Sequence, residues 1–380
     1  MHMTVSEDTP ALLRLVAAGG ASDVRRDLLD RYDSAAIALD AGPGAWRTAG
    51  LSPGQIAALT DPNAVPARAL EWVASPGHHL IGWHDPDYPP PLRRGPNPPL
   101  ALFVAGDPTR LWHPSVAVVG SRSPTPAGRE NARDFARALA ASGLCVVSGL
   151  AAGVDSAAHQ AALDCGGLTV AVLGTGVDVP YPRSNAALHA RIAETGAVVS
   201  EYLPGTAPAQ FHFPARNRII AGLSLGTLVI EAAERSGALI TARLATEAAR
   251  EVFAVPGSIH NPLARGCHRL IRDGAGLVES AAEVIAALAP QAALLAGDLR
   301  SRLQAPIHQS RRPVDEAARG SGGDDPDYQN LWNALGHDPS AMDQLVERTG
   351  LTAAAVSSML LLMELDGRVI SQHGRYFRSR

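Results

Sequence analysis

The sequence predicts a doubly wound α/β domain around a parallel sheet, set between a small helical region and a compact C-terminal segment. Three observations predict it. Short apolar runs stand at residues 116–119, 144–147, 169–173, 197–199, 227–230 and 252–255, each followed by Gly or Pro and then by a helical stretch. Runs apolar at consecutive positions suit strands buried on both faces of a parallel sheet, and strand alternating with helix argues for doubly wound order. The chain has 380 residues, too many for one ordinary core, so two or three domains are expected. Its 46% hydrophobic and 18% charged residues make a globular balance.

Residues 1–99 read as a helical domain, with Ala-rich apolar stretches such as 11–18 and 55–60 broken by Gly and Pro. Its end, residues 88–99 (YPPPLRRGPNPP), should be extended, because Pro fixes φ and removes a donor. A strand follows at 100–104 and opens the α/β core, residues 100–289. In the first crossover helix Ala132, Phe135, Ala136 and Leu139 form an apolar face. Arg129, Arg133 and Arg137 lie on another face, where Glu130 and Asp134 can pair with them as a solvated stripe. Residues 290–327 read as a flexible linker, Gly-rich at 319–326 (RGSGGDDP). In residues 328–380, Leu331, Trp332 and Leu335 mark one helix, and Met342, Leu345 and Val346 a second. Val356, Met359, Leu360 and Met363 mark a third, and a hairpin follows around Gly374, the layout of a winged helix-turn-helix.

Formal net charge is -4, so any nucleic-acid site must be a local patch. All 33 basic residues are Arg, which can grip phosphate with a bidentate fork. Cys145, Cys165 and Cys267 lack CxxC spacing, which argues against a disulfide framework or a zinc site and fits a reducing compartment. They sit in or beside apolar runs and read as inert core residues. The N-terminus is polar and acidic, unlike a signal peptide, and no apolar run reaches the roughly 20 residues that span a bilayer. The expectation is a cytoplasmic protein with no membrane partner.

Gly120-Ser121-Arg122 directly follows the first core strand. A tight turn into a helix there aims backbone N–H groups at an anion, and Arg122 adds charge. An ordinary βα turn would also give this tripeptide. Gly120 is followed by SRSPTPAG and not by GxGxxG, so no dinucleotide cofactor is expected. Residues 213–224 (FPARNRIIAGLS) put Arg216, Asn217 and Arg218 near the start of an apolar helix, where cations oppose the dipole unless an anion is bound. The alternative is that one of these Arg pairs with a carboxylate such as Glu231. Ser236, Gly237 and Thr241 open another helix after a strand, and Gly174-Thr175-Gly176, with Tyr181, Pro182 and Asn185 beyond, has the same small-residue character. Several such loops along one sheet edge suit an extended ligand.

Catalytic patterns are weak. His159, His212, His260 and His268 show no metal spacing such as HExxH, and no GxSxG or Walker A sequence occurs. His159 reads as a helix-cap or core contact. Arg368, Arg375, Arg378 and Arg380 make the C-terminal hairpin basic, which suits phosphate contact, while many winged helices serve as protein-interaction modules. Both possibilities stay open.

The ordered set GSR, SGLAAGVDSAAH, AVLGTGVDVPYP, SEY, FPARNRIIAGLS and VIEAAERSGALITA resembles the DNA processing protein A family (DprA, also called Smf) over residues 100–288. The flanks resemble the family by layout: a sterile-alpha-motif-like N-terminal region and a C-terminal winged helix. The resemblance implies an extended Rossmann-like core that binds single-stranded DNA, forms homodimers, protects incoming DNA and helps load the RecA recombinase during natural transformation. It implies that Arg122 holds phosphate, that Phe213, Arg216, Asn217 and Arg218 line the same pocket, and that Ser236 and Gly237 shape its wall. Many relatives carry a basic residue where this chain has Leu168, which leaves that part of the path to a nearby Arg such as Arg183. The competing expectation is an enzyme, since the superfold also resembles nucleotide phosphoribohydrolases with a PGGxGTxxE signature. Here Gly226-Thr227 precedes Glu231 by one residue too many, and the leading PGG is missing. A third possibility is a duplex-DNA regulator acting through the winged helix.

Overall fold

The computed structural model describes residues 8–304 apart from 33, and 326–378 apart from 336–339, 353–355, 357–358, 361–362, 364–368 and 373–374. The chain divides into two compact units, Met1–Ala305 and Pro306–Arg380.

The first unit is organised by a nine-stranded sheet. Its strands are β1 (His78–Gly82), β2 (Ala101–Gly106), β3 (Ser115–Val119), β4 (Cys145–Ser148), β5 (Thr169–Val172), β6 (Ala197–Ser200), β7 (Gly226–Val229), β8 (Glu251–Ala254) and β9 (Gly276–Leu277). The six apolar core runs coincide with β3 to β8. Their order in the sheet is β1-β2-β6-β5-β4-β3-β7-β8-β9, with β3 to β9 parallel and β1 and β2 antiparallel at one edge. Side chains alternate across it. Val116 and Val118 pack toward helices Pro126–Ala141, Val154–Asp164 and Ala281–Gln304, while Ala117 and Val119 pack toward His212–Leu223 and Gly237–Glu247. Both faces are covered, so the strands are mostly apolar on both faces, with polar residues such as Ser115, Ser148, Thr169, Ser200 and Glu251 at their ends. The expected face of Ala132, Phe135, Ala136 and Leu139 is buried, and the Arg stripe is solvated, with Arg133 on Glu130 and Arg137 on Asp134.

From β3 the chain steps outward through β4, β5 and β6, then returns through helix His212–Leu223 to place β7 on the other side of β3. That reversal opens a crevice at the carboxyl ends of β3 and β7, where open α/β sheets take their ligands.

The structure corrects four expectations. Residues 1–99 are not wholly helical, because β1 joins the sheet through β2, and the N-terminal helices belong to the same compact unit. Pro90–Arg93 forms a helical turn inside the segment expected to be extended; Pro90 and Pro91 stand in the first turn, where no N–H is needed. The linker expected from 290 is helical to Gln304, with Pro290 inside helix Ala281–Gln304, and residues 305–325 lie outside those described. By length and composition this helix is also long and apolar enough to cross a membrane, contrary to expectation. Its Val284, Leu288, Leu295 and Leu299 are nevertheless buried against the core of the first unit, the contacts of a helix packed on a sheet.

The second unit holds helices Pro326–Leu335 and Met342–Thr349, further helical positions at 356, 359, 360 and 363, and a sheet of β10 (Ser340–Ala341), β11 (Val369–Gln372) and β12 (Arg375–Arg378). Leu331, Leu335, Leu345, Val356, Leu360 and Met363 form its core, as the apolar spacing predicts. This is a winged helix. The hairpin residue Gly374 lies outside the described residues.

Candidate functional site

β3 ends at Val119 and the chain turns through Gly120-Ser121-Arg122. The Ser121 carbonyl accepts from the Val154 amide at 3.1 Å, which pins the loop to the start of helix Val154–Asp164. Gly153, at φ 88°, lies against this loop; a Cβ there would stand 2.4 Å from the Ser121 carbonyl oxygen. Arg122 is exposed, with its guanidinium 5.7 Å from the centroid of the Phe213 ring, and it makes no ion pair among the described residues.

The opposite wall is the start of helix Gly237–Glu247. Ser236 caps it, its hydroxyl accepting from the Ala238 amide at 3.2 Å. Exposed Arg235 precedes the cap and also makes no ion pair among the described residues. Asn217 donates to the Gly237 carbonyl at 3.4 Å, so the two helices meet at the cleft, and buried Thr241 lines the same wall.

Arg216 forms the floor. It is 4% exposed, and its Nη1 donates to the carbonyls of Gly149, at 2.7 Å, and Val172. Burial pulls its pKa down to about 10, so it remains a cation at neutral pH. Asp155 sits beside it and accepts from the amides of Gly149 and Ala151 at 3.1 and 3.3 Å. Burial pushes the Asp155 carboxyl up, against the opposing pull of Arg216 and those amides. These residues enclose a cleft of about 680 Å³ whose charged lining is Arg122, Arg216, Arg235 and Asp155. Three cations against one carboxylate, together with a helix N-terminus, give the cleft a positive field that suits an anion. Phe213, stacked on Tyr181 at 5.2 Å between centroids, gives the cleft a flat aromatic wall.

The cleft therefore brings together Gly120, Ser121, Arg122, Phe213, Arg216, Asn217, Ser236, Gly237 and Thr241. Other expected residues do different work. Arg218 points away and pairs with Glu201, because positions two apart on a helix differ by roughly 200° in direction. The pairing alternative was right in kind for Arg218, but the partner is not Glu231. Thr175 is buried, donating to the Val179 carbonyl at 2.7 Å, and the Gly176 amide donates to the Thr206 carbonyl at 2.9 Å, so this loop is tied up internally. Gly174 packs against Phe213 and so seats the aromatic wall from behind. Asn185 donates to the Leu150 carbonyl at 2.9 Å and braces the loop after β4. Arg183 is exposed outside the cleft lining. Arg375 begins β12 in the second unit, where Arg378 is engaged with the Trp332 carbonyl and ring; Arg368 and Arg380 fall outside the described residues.

Asp155 and Arg235 are cleft residues that the sequence did not single out as ligands, whereas Tyr181, named beyond the Gly174 loop, does line the cleft. Arg235 was legible in principle, one residue before a Ser helix cap. Leu168 precedes β5 and so lies at the amino end of the strand, away from the cleft edge. His159 is a core residue: its Nδ1 is 2.7 Å from the Thr169 hydroxyl oxygen, and burial, then the charge of Arg216, pulls its pKa down to about 3. Cys145 and Cys267 are buried as expected, whereas Cys165 is exposed. Glu231 accepts from the Thr125 amide at 2.9 Å, the Thr125 hydroxyl at 2.7 Å and the Asn261 amide group at 3.1 Å.

Residues 79–289 match the model of the DNA recombination-mediator protein A family, and residues 315–375 match the DprA winged helix domain. The chain is 39% identical to Protein Smf of Escherichia coli over 323 residues, covering 85% of this chain and 83% of that protein. It is 50% identical to DNA processing protein DprA of Streptococcus pneumoniae over 202 residues, covering 53% of this chain and 71% of that protein. The X-ray structure of the Streptococcus pneumoniae protein superposes with a TM-score of 0.65 at 38% identity, covering 75% of this chain and 98% of that one. DNA processing protein A of Helicobacter pylori, whose structure concerns its single-stranded DNA binding mode, superposes with a TM-score of 0.51 at 30% identity, covering 56% of this chain and 96% of that one. With the motifs in order, the parallel sheet, the winged helix and a family match over more than half its length, the chain belongs to the DNA recombination-mediator protein A family and is a DNA processing protein.

Proposed function

We propose that this protein grips single-stranded DNA at the β3–β7 crevice, as a binding mediator and not as an enzyme. One observation carries the proposal: Arg122 and Arg235 stand exposed and, among the described residues, without an ion pair on opposite walls of a cleft, over an aromatic wall and a buried cationic floor. The rim Arg residues take phosphates, the helix start at Ser236–Gly237 supports them, and the Phe213–Tyr181 wall stacks an unpaired base. A duplex keeps its bases stacked on one another and cannot offer one to that wall. The family resemblance supports the later steps: protection of incoming strands, loading of RecA during natural transformation, and action as a cytoplasmic homodimer. Arg183 and Arg375 are proposed as secondary contacts along the strand.

The nucleotide-hydrolase alternative needs a free carboxylate at Glu231. That carboxylate already accepts three hydrogen bonds, two from Thr125 that hold the start of helix Pro126–Ala141 and one from Asn261 in the loop after β8.

Fluorescence anisotropy with labelled single strands and duplexes at two salt concentrations tests the proposal. Single strands should bind more tightly than duplex, and binding should weaken with salt as counterions are released. Arg122→Ala should lower affinity and reduce the slope of log K against log salt by roughly 0.7 to 1. Unchanged binding by the variant would move the site elsewhere, and release of free base from a nucleoside monophosphate would restore the enzymatic alternative.

A further inference from the structure

The segment joining β6 to helix His212–Leu223 separates the cleft from a second groove of about 450 Å³, which runs between the N-terminal helices and the core. Phe211 stands on that segment, 73% exposed. Its ring meets His212 edge-on at 4.5 Å, and His212 stacks on Tyr202 at 4.0 Å. Gln210 and Phe213 line the cleft, whereas Tyr202 lines the second groove. The aromatic surface therefore continues from Phe213 across the ridge and down its far side.

The second groove also carries charge. Arg218 lines it, its side chain 13% exposed; one terminal nitrogen is held by Glu201, whose carboxylate also lines the groove, and the other, Nη1, is buried with no hydrogen-bond partner among the described residues. A buried donor left unpaired favours any ligand that brings an acceptor. Arg25 lies in the same lining, but its guanidinium is already bonded to backbone carbonyls, so it adds positive field without offering a contact.

We propose that a single strand seated in the cleft crosses this ridge, stacks a base on Phe211 and continues into the second groove, where Arg218 meets a phosphate. The groove is then a second nucleotide subsite that lengthens the binding footprint. This rests on the single-strand reading of the cleft, and the test separates the two.

The full-length protein is titrated with two oligothymidylates, one short enough to fill only the cleft and one several nucleotides longer. Phe211 is exposed, so Phe211→Ala should leave the unfolding midpoint unchanged. The variant should lose affinity for the longer strand by roughly tenfold, the size of one base–aromatic stack. Its affinity for the shorter strand should equal that of the native protein, and Phe211→Trp should restore binding of the longer one. Equal weakening on both lengths would assign Phe211 to the cleft and overturn the second subsite, as would no weakening on either. Arg122→Ala is run in parallel. If it weakens neither strand, the cleft reading itself fails and the extension falls with it.

Discussion

Arg216 and Arg122 contribute to the same cleft in opposite ways. Arg216 is buried, bonded to two backbone carbonyls and faced by Asp155, so it sets the local field and holds the loop after β4. Arg122 is exposed and free to move onto a phosphate. Arg216→Ala should therefore cost about 3–5 kcal/mol of stability, since it leaves two buried carbonyls without their donor and removes the cation whose field offsets burial of the Asp155 carboxylate. Arg122→Ala should leave stability within about 0.5 kcal/mol and act on binding alone. Urea unfolding alongside DNA titration distinguishes the two. His159 gives a pH prediction. Its folded pKa, about 3, lies below the ordinary 6.5, so on acidification the unfolded chain takes up the proton first. Its contribution is unaffected above pH 6.5 and turns destabilising as pH falls from there toward 3, by up to about 1.4 kcal/mol per pH unit. Asp155, raised by burial, acts with the opposite sign, so comparing the native protein with His159→Gln isolates the histidine. Unfolding midpoints at neutral and mildly acidic pH should converge in the variant. If the pH dependence is the same in both proteins, His159 is not the group responsible.

At the scale of elements, the Arg122 loop depends on a neighbour distant in sequence. Gly153 adopts φ 88° and approaches the Ser121 carbonyl too closely for any side chain. Gly153→Ala should cost at least about 1–3 kcal/mol from backbone strain, and should weaken single-strand binding because the loop carrying Arg122 must shift. An unfolding midpoint and a binding curve check both; native-like binding would mean that the loop position does not matter. The strands were legible because each core run is apolar at consecutive positions, and Ala132, Phe135, Ala136 and Leu139 betrayed the covering helix. β1 was not legible: His78-His79-Leu80-Ile81-Gly82 is short and half polar, and it is a strand because it pairs with β2 at the sheet edge. Pro90–Arg93 was misjudged because prolines that stop a helix from within are tolerated in its first turn.

Over the whole molecule, net charge says little about the ligand. The chain is acidic overall, at -4, and yet concentrates Arg122, Arg216 and Arg235 in one crevice. The two compact units have separate cores, so a chain ending at Ala305 should fold alone. It should retain single-strand affinity within about threefold if the cleft is the principal site. Loss of most binding on that truncation would transfer the principal contact to the winged helix and its Arg375 hairpin.

The sequence by itself determined the fold class, the positions of the six core strands, the winged helix and the family, because these depend on local periodicity and on motifs kept in order. It also named the Arg122 turn, Arg216, Asn217 and the Ser236 helix start that line the cleft. It did not separate Arg216, a buried floor, from Arg218, a partner of Glu201, although they are two residues apart in one motif. Nor did it show that the Thr175 loop and Asn185 brace the structure while Arg235 and Asp155 line the cleft. Only the tertiary structure decided those roles. The direction of a helical side chain and the burial of a charge depend on which distant segments pack beside it, and neighbouring residues in the chain carry no record of that.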